Sequence, residues 1–234
     1  MREVAERLLS LYFNRLDCYG VSDGERILTV KGSVTVELVE KHLRGEFELG
    51  AHAIEPTRST CRWVAWDIDD RKTRITLYDR LGRVFPRESV VVERTSGRGY
   101  HILLFFLSPI PSEICYSIAL KFAEGLKGVE TYPKQPWIEP EGYGNWIRLA
   151  LGYRKTTKRW SRLLSPEKIL DVKPILPGEY VNLSEYKQPI PFWLKANRCI
   201  HRTQDQSGAW NCLKSDGSVG LCSTFTCPEG SDGS

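Results

Sequence analysis

Apolar residues recur at helical spacing near the start of the chain, where Val4, Leu8, Leu9 and Tyr12 predict a helix over residues 2–16. A second helix is expected over Thr35–Arg44. From Arg62 the spacing changes. Arg62–Asp69 is rich in aromatic and β-branched residues and reads as a strand ending on polar positions. Arg71–Val84 carries Ile75, Tyr78 and Leu81 on one side and reads as a helix. Ser89–Arg94 and Tyr100–Leu107 read as strands joined by the tight connection Thr95–Gly99. Ser112–Leu126, with Ile114, Ile118 and Phe122, is a helix, and Gly128–Tyr132 is a short strand. A further strand is expected over Asn145–Leu151.

The order from Arg62 is β-α-β-β-α-β. The fold class expected is therefore α+β, an RNA-recognition-motif-like (ferredoxin-like) core over residues 60–152 behind an N-terminal α/β segment. In that arrangement the strands lie side by side as fourth, first, third, second, all antiparallel. Asp67, His101 and Glu130 then converge on one edge of the sheet from three separate stretches. After Pro166 the prolines at 174, 177, 189 and 191 break the pattern. The chain thus divides into residues 1–165 and a small cysteine-containing appendage, 166–234.

Composition narrows the class. Of 234 residues, 41% are hydrophobic and 26% charged, which is globular rather than disordered or membrane-embedded. No apolar run approaches the ~18 residues that would span a bilayer, and the charged amphipathic start is no secretory signal. A cytoplasmic protein without a membrane partner is expected. The net charge of +4 is modest, but its distribution is uneven. Arg148, Arg154, Lys155, Lys158, Arg159 and Arg162 fall together with no acid among them, a run suited to phosphates or to a solvated loop.

Cys18, Cys61 and Cys115 sit among apolar residues and fill core space. Cys199, Cys212, Cys222 and Cys227 cluster near the end with His201 nearby, but no Cys-x2-Cys pair is present. A structural zinc ion, an iron–sulfur cluster and unligated thiols or disulfides are all open readings.

Asp67-Ile-Asp69 places two carboxylates at i and i+2, the same face of a strand, where they repel unless a cation lies between them. Oxygen-only ligation suits Mg²⁺ or Mn²⁺. The plainer reading of the tripeptide alone is a polar strand end running into the turn Asp69-Asp70-Arg71-Lys72. In Ser96–His101 the glycines at 97 and 99 let backbone N–H groups approach an anion, and Ser96, Arg98 and His101 add donors. A hairpin with a positive tip is the alternative. His101 begins an otherwise apolar strand, so burial or function must account for it. Glu130 alone reads as a solvated edge residue; with Asp67 and Asp69 it completes a three-carboxylate site for two metals. Arg148 interrupts the apolar stretch Gly144–Gly152, as a phosphate grip or as an ion-pair partner for Glu130 or Asp67.

Taken in order, Asp67-Ile-Asp69, Ser96–His101, Val129–Gln135 and Gly144–Gly152 resemble the motifs of the archaeo-eukaryotic primase superfamily. The likeness is to primase-polymerase branches associated with mobile elements and conflict systems. Phe13–Tyr19, Lys41–Gly45 and Leu49–His52 extend it upstream, so that it covers residues 11–160. It departs at Glu130, where many members have Asp, and at Ala150, where Pro is expected. The resemblance implies template-directed nucleotidyl transfer that makes or extends primers. It implies Asp67, Asp69 and Glu130 as ligands of Mg²⁺ or Mn²⁺, with Ser96, Arg98, His101, Lys134 and Arg148 at the nucleotide. Arg154, Lys155, Lys158 and Arg159 would lie along the nucleic acid. The implied partners are single-stranded DNA template and primer, dNTP or NTP, and a helicase or second primase subunit.

Two other readings stand beside it. A non-catalytic single-stranded nucleic-acid-binding module on the same sheet would stack bases on Phe105 and Phe106, but carboxylates on the first strand would repel phosphates. A replication-initiator nuclease needs two histidines separated by one residue, and His42, His52, His101 and His201 contain no such pair.

Overall fold

A computed structural model describes residues 1–22, 26–139 and 141–186, and the backbone of 202–204, 210–213 and 219–222. The chain forms two compact units, residues 1–188 and 189–234. The first opens with α1 (Arg2–Tyr12), which buries Ala5, Leu8, Leu11 and Tyr12 along one stripe. It stops short of residue 16 because Phe13 turns extended. Next come β1 (Cys18–Ser22) and β2 (Ile27–Lys31), a hairpin, then α2 (Val36–Leu43) and β3 (Glu48–His52). Thr35 caps α2 by accepting the Leu38 N–H. The chain continues through β4 (Thr60–Ile68), α3 (Arg71–Gly82), β5 (Val90–Arg94), β6 (Tyr100–Pro111), α4 (Ser112–Ala123) and β7 (Val129–Tyr132). After these follow β8 (Trp146–Arg148), the short hairpin β9 (Tyr153–Arg154) and β10 (Arg159–Trp160), and β11 (Arg162–Ser165).

The fold is α+β, with a five-stranded sheet ordered β11-β5-β6-β4-β7 and a four-stranded sheet ordered β2-β1-β3-β8. All pairings in both are antiparallel. β4 is interior to its sheet and buried on both faces. Trp63 and Trp66 point to opposite sides, as their spacing dictates. The indole N–H of Trp63 donates to the Tyr12 carbonyl of α1 at 2.7 Å, and that of Trp66 to the Ala119 carbonyl of α4 at 2.8 Å. Each buried indole thus has its acceptor, and β4 is clamped between α1 and α4. Asp67 belongs to the Trp63 side. Phe105 and Phe106 are buried, which removes them as an open stacking surface.

Two sequence expectations change. The strand expected at 145–151 is only Trp146–Arg148 and joins the four-stranded sheet, where Arg148 lies opposite Gly50 of β3. Left-handed residues bound this stretch, Gly144 at φ 63° and Leu151 at φ 65°, and cut the strand short. The division expected at residue 165 falls inside the first unit. Beyond β11 the chain returns to β6, where Ile175 N–H donates to the Phe105 carbonyl and its own carbonyl accepts from Leu107. Ile169, Val172 and Ile175 are buried there, so the proline-rich stretch completes the core.

The second unit contains an antiparallel sheet of β12 (Arg202–Gln204), β13 (Trp210–Leu213) and β14 (Val219–Cys222). Cys212 lies opposite Gly220, and Cys222 opposite Trp210. Cys199 and Cys227 lie outside the described residues. No helix among the described residues is long and apolar enough to cross a membrane.

Candidate active site

Register brings four ionisable residues into one row across the five-stranded sheet. Glu130 of β7 lies opposite Asp67 of β4, Asp67 opposite His101 of β6, and His101 opposite Glu93 of β5. Directly opposed residues share a face, so the row is a consequence of pairing alone. His101 is buried, and its Nδ1 donates to Glu93 Oε2 at 3.0 Å, since a carboxylate can only accept. That bond leaves Nε2 on the Asp67 side, 3.8 Å from Asp67 Oδ1 and too far for a hydrogen bond. Glu93 is also buried, and its other oxygen accepts the Leu151 N–H at 3.3 Å.

Asp67 and His101 open onto a cavity of about 290 Å³, which Tyr132, Trp146, Arg148 and Ile27 also line. The two sheets therefore face each other across it: β4, β6 and β7 on one side, β2 and β8 on the other. Burial pushes the Tyr132 hydroxyl pKa up. Gly99 allows the approach to Asp67, because a Cβ there would sit 2.8 Å from the Ile68 carbonyl oxygen.

The expected residues divide into those the fold gathers and those it does not. Asp67, His101 and Arg148 share the cavity. Glu130 is exposed and bonded to Lys134 Nζ at 2.8 Å; the ammonium holds its carboxyl below the ordinary range, and Glu130 in turn raises Lys134. Asp69 is exposed and lies one residue past the end of β4. Asp70 beside it caps α3 by accepting the Thr73 N–H. Among the described residues no three His, Cys, Asp or Glu converge as a metal-holding group. The donor chemistry nevertheless fits a hard divalent cation: a half-buried carboxylate with free lone pairs, and a second directly across the ladder.

Ser96 is buried away from the cavity, and its hydroxyl donates to Glu48 Oε1 at 3.1 Å. The second Glu48 oxygen faces Arg154 Nε at 3.8 Å, so Arg154 is turned inward rather than along a surface. Thr157 Oγ1 donates to the Ser96 carbonyl, tying the β9–β10 hairpin to the glycine loop. Arg98, Lys155, Lys158 and Arg159 are exposed. His42, by contrast, is structural. Its Nδ1 accepts from the Leu49 N–H and its Nε2 donates to the Ala150 carbonyl, while burial lowers its pKa.

The model of the TOTE conflict system archaeo-eukaryotic primase domain matches residues 29–172. The chain belongs to this family. Among solved structures it is similar to the archaeo-eukaryotic primase domain of the cyanophage S-2L primase-polymerase. That pair shares 16% identity and a TM-score of 0.51, covering 80% of this chain and 97% of the other. It is also similar to the catalytic domain of primase RepB′ in complex with initiator DNA, at 14% identity and a TM-score of 0.42, covering 80% and 98%. No curated protein matches the chain.

For this primase domain, sequence reasoning missed Glu93, Glu48 and Trp146. Glu93 carried a signal, since it is the lone acid after Val90-Val-Val92. Glu48 and Trp146 carried none, because what each touches depends on tertiary contacts.

Proposed function

We propose that the chain is a template-directed nucleotidyltransferase that makes or extends nucleic-acid primers on an RNA-recognition-motif-like core. The observation that carries this reading is the register placing Asp67 between Glu130 and His101, beside a cavity that Arg148 also lines. Asp67, Asp69 and Glu130 would hold Mg²⁺ or Mn²⁺, which when bound stabilises charge on the attacking and leaving oxygens. Glu93 orients the His101 ring so that Nε2 is presented to the triphosphate. The Arg148 guanidinium offers a fixed fork to phosphate oxygens. Lys134, ion-paired with Glu130, would be a supporting positive charge for the nucleotide. Ser96 reaches the triphosphate only by giving up Glu48. The exposed cations Lys155, Lys158 and Arg159 would lie along single-stranded template or primer, with Arg154 holding their hairpin in place. Substrates are dNTP or NTP.

The test is synthesis by the purified full chain, given Mn²⁺ or Mg²⁺, a single-stranded template and labelled nucleotides. Product that disappears in the Asp67→Ala, Asp69→Ala double variant is expected. Absence of product, or product that survives both substitutions, would overturn the reading.

A further inference from the structure

Trp146 lies across the four-stranded sheet in a way that only glycine permits. Gly20 of β1 and Gly50 of β3 are directly opposed in the ladder. A Cβ on Gly50 would sit 2.1 Å from the indole Cε3, and one on Gly20 would sit 2.3 Å from Cδ2. Atoms of the benzene ring cover Gly50 while the ring-fusion and pyrrole atoms cover Gly20, so the indole is laid over two backbones at once. No side chain at either position could tolerate this contact without displacing the ring. The same indole is half-buried and lines the cavity that holds Asp67, His101 and Arg148. Ile27, mostly exposed on β2, adds an apolar rim.

A flat aromatic surface supported from below, in one cavity with a guanidinium and an imidazole, matches a ligand that is planar and aromatic at one end and anionic at the other. We infer that Trp146 is the platform on which the base of the incoming nucleoside triphosphate stacks, with Gly20 and Gly50 as its floor. This rests on the proposed nucleotidyl transfer and adds to it the residue that holds the base. Stacking uses the π-face common to all bases, so the platform accepts any of the four and leaves base choice to the template. Its contribution should be about 5- to 100-fold in affinity, the range of a single base–aromatic contact.

The experiment compares equilibrium binding of ATP and of inorganic tripolyphosphate to the full chain, by calorimetry with Mg²⁺ or Mn²⁺ present. Trp146→Leu keeps apolar cover but removes stacking, and is expected to weaken ATP by about 5- to 100-fold while leaving tripolyphosphate within about twofold. Trp146→Phe keeps an aromatic face and should retain most of the ATP affinity, which also serves should the leucine variant fail to fold. Equal weakening of both ligands by either variant, or no weakening of ATP by the leucine variant, overturns the platform while leaving nucleotidyl transfer intact. A wild-type chain that binds neither ligand overturns both.

Discussion

The two walls of the cavity are built by opposite means. The wall from the five-stranded sheet is made of side chains that are out of place in their strands: Asp67 and His101 interrupt apolar runs, with Glu93 behind His101, and cross-strand register lines the three up. The wall from the four-stranded sheet is made by omission. Gly20 and Gly50 leave out the side chains that would occupy the sheet surface, and Trp146 fills the space. The first wall concentrates charge; the second presents a broad apolar surface held by shape. Charged residues in a row are expected to respond to substitution through activity, and a packed aromatic on glycines through stability.

The largest difference should come from the charged wall. Asp67→Asn keeps the size of the side chain and removes its charge. Primer synthesis by the purified protein is expected to fall by about 100-fold or more, the scale of losing one electrostatic group at a transition state, with little change in the denaturant midpoint. A variant retaining full activity would remove Asp67 from the chemistry and end the distinction between the walls.

The glycine-floored wall makes its own prediction through pH. His52 of β3 lies opposite Trp146 of β8 and is buried. Burial, with Arg15 adding to it, pushes its pKa from 6.5 down to about 4. The folded state therefore takes up this proton later than the unfolded chain does. Its stability contribution is complete above pH 6.5 and is lost as pH falls toward 4, amounting to about 3 kcal/mol. Urea unfolding at several pH values between 7.5 and 4.5 measures this, and His52→Phe should flatten the slope whatever it does to the absolute stability. An unchanged slope would mean that the ring is not held neutral. His42, also buried and lowered, acts in the same direction.

A smaller effect is expected on the same wall from Gly50→Ala. The added methyl group would meet the indole at 2.1 Å, and overpacking of this kind costs about 1–3 kcal/mol. Gly128→Ala is a useful contrast: no atom lies within 4 Å of a Cβ there, so its cost would come only from the backbone, at φ 65°. Equal losses at the two positions, measured by denaturant midpoint, would show that the indole yields freely.

The asymmetry between the walls also explains what the sequence disclosed. Asp67, His101 and Glu130 were legible because each is a polar residue in a strand of readable period, and antiparallel pairing then dictates their neighbours. Arg148 was legible as a residue but not as a location, because the left-handed turns at Gly144 and Leu151 send β8 to the other sheet. Asp69 lies one residue past the end of β4, so no cross-strand partner fixes its place in the row. The partner of the Ser96 hydroxyl was not legible, because Glu48 lies 48 residues away. Gly20 and Gly50 looked like ordinary interruptions. What a glycine leaves room for is a tertiary fact, and no local pattern carries it.

Glu93 tests the charged wall at its finest grain, because it lies behind His101 and does not line the cavity. Its carboxylate accepts the Nδ1–H hydrogen bond and so sets the orientation of the ring. Glu93→Gln preserves an acceptor oxygen of similar reach but adds an amide donor that can rotate toward the same nitrogen, so the ring loses its unique partner. Losses of about 10-fold are typical when the residue orienting a functional imidazole is altered. For a positioning residue the loss should fall on KM for the nucleoside triphosphate more than on kcat, with the denaturant midpoint at pH 7.5 little changed. A variant that alters stability and kinetics together would place Glu93 with the structural groups such as His42, and the charged row would then end at His101.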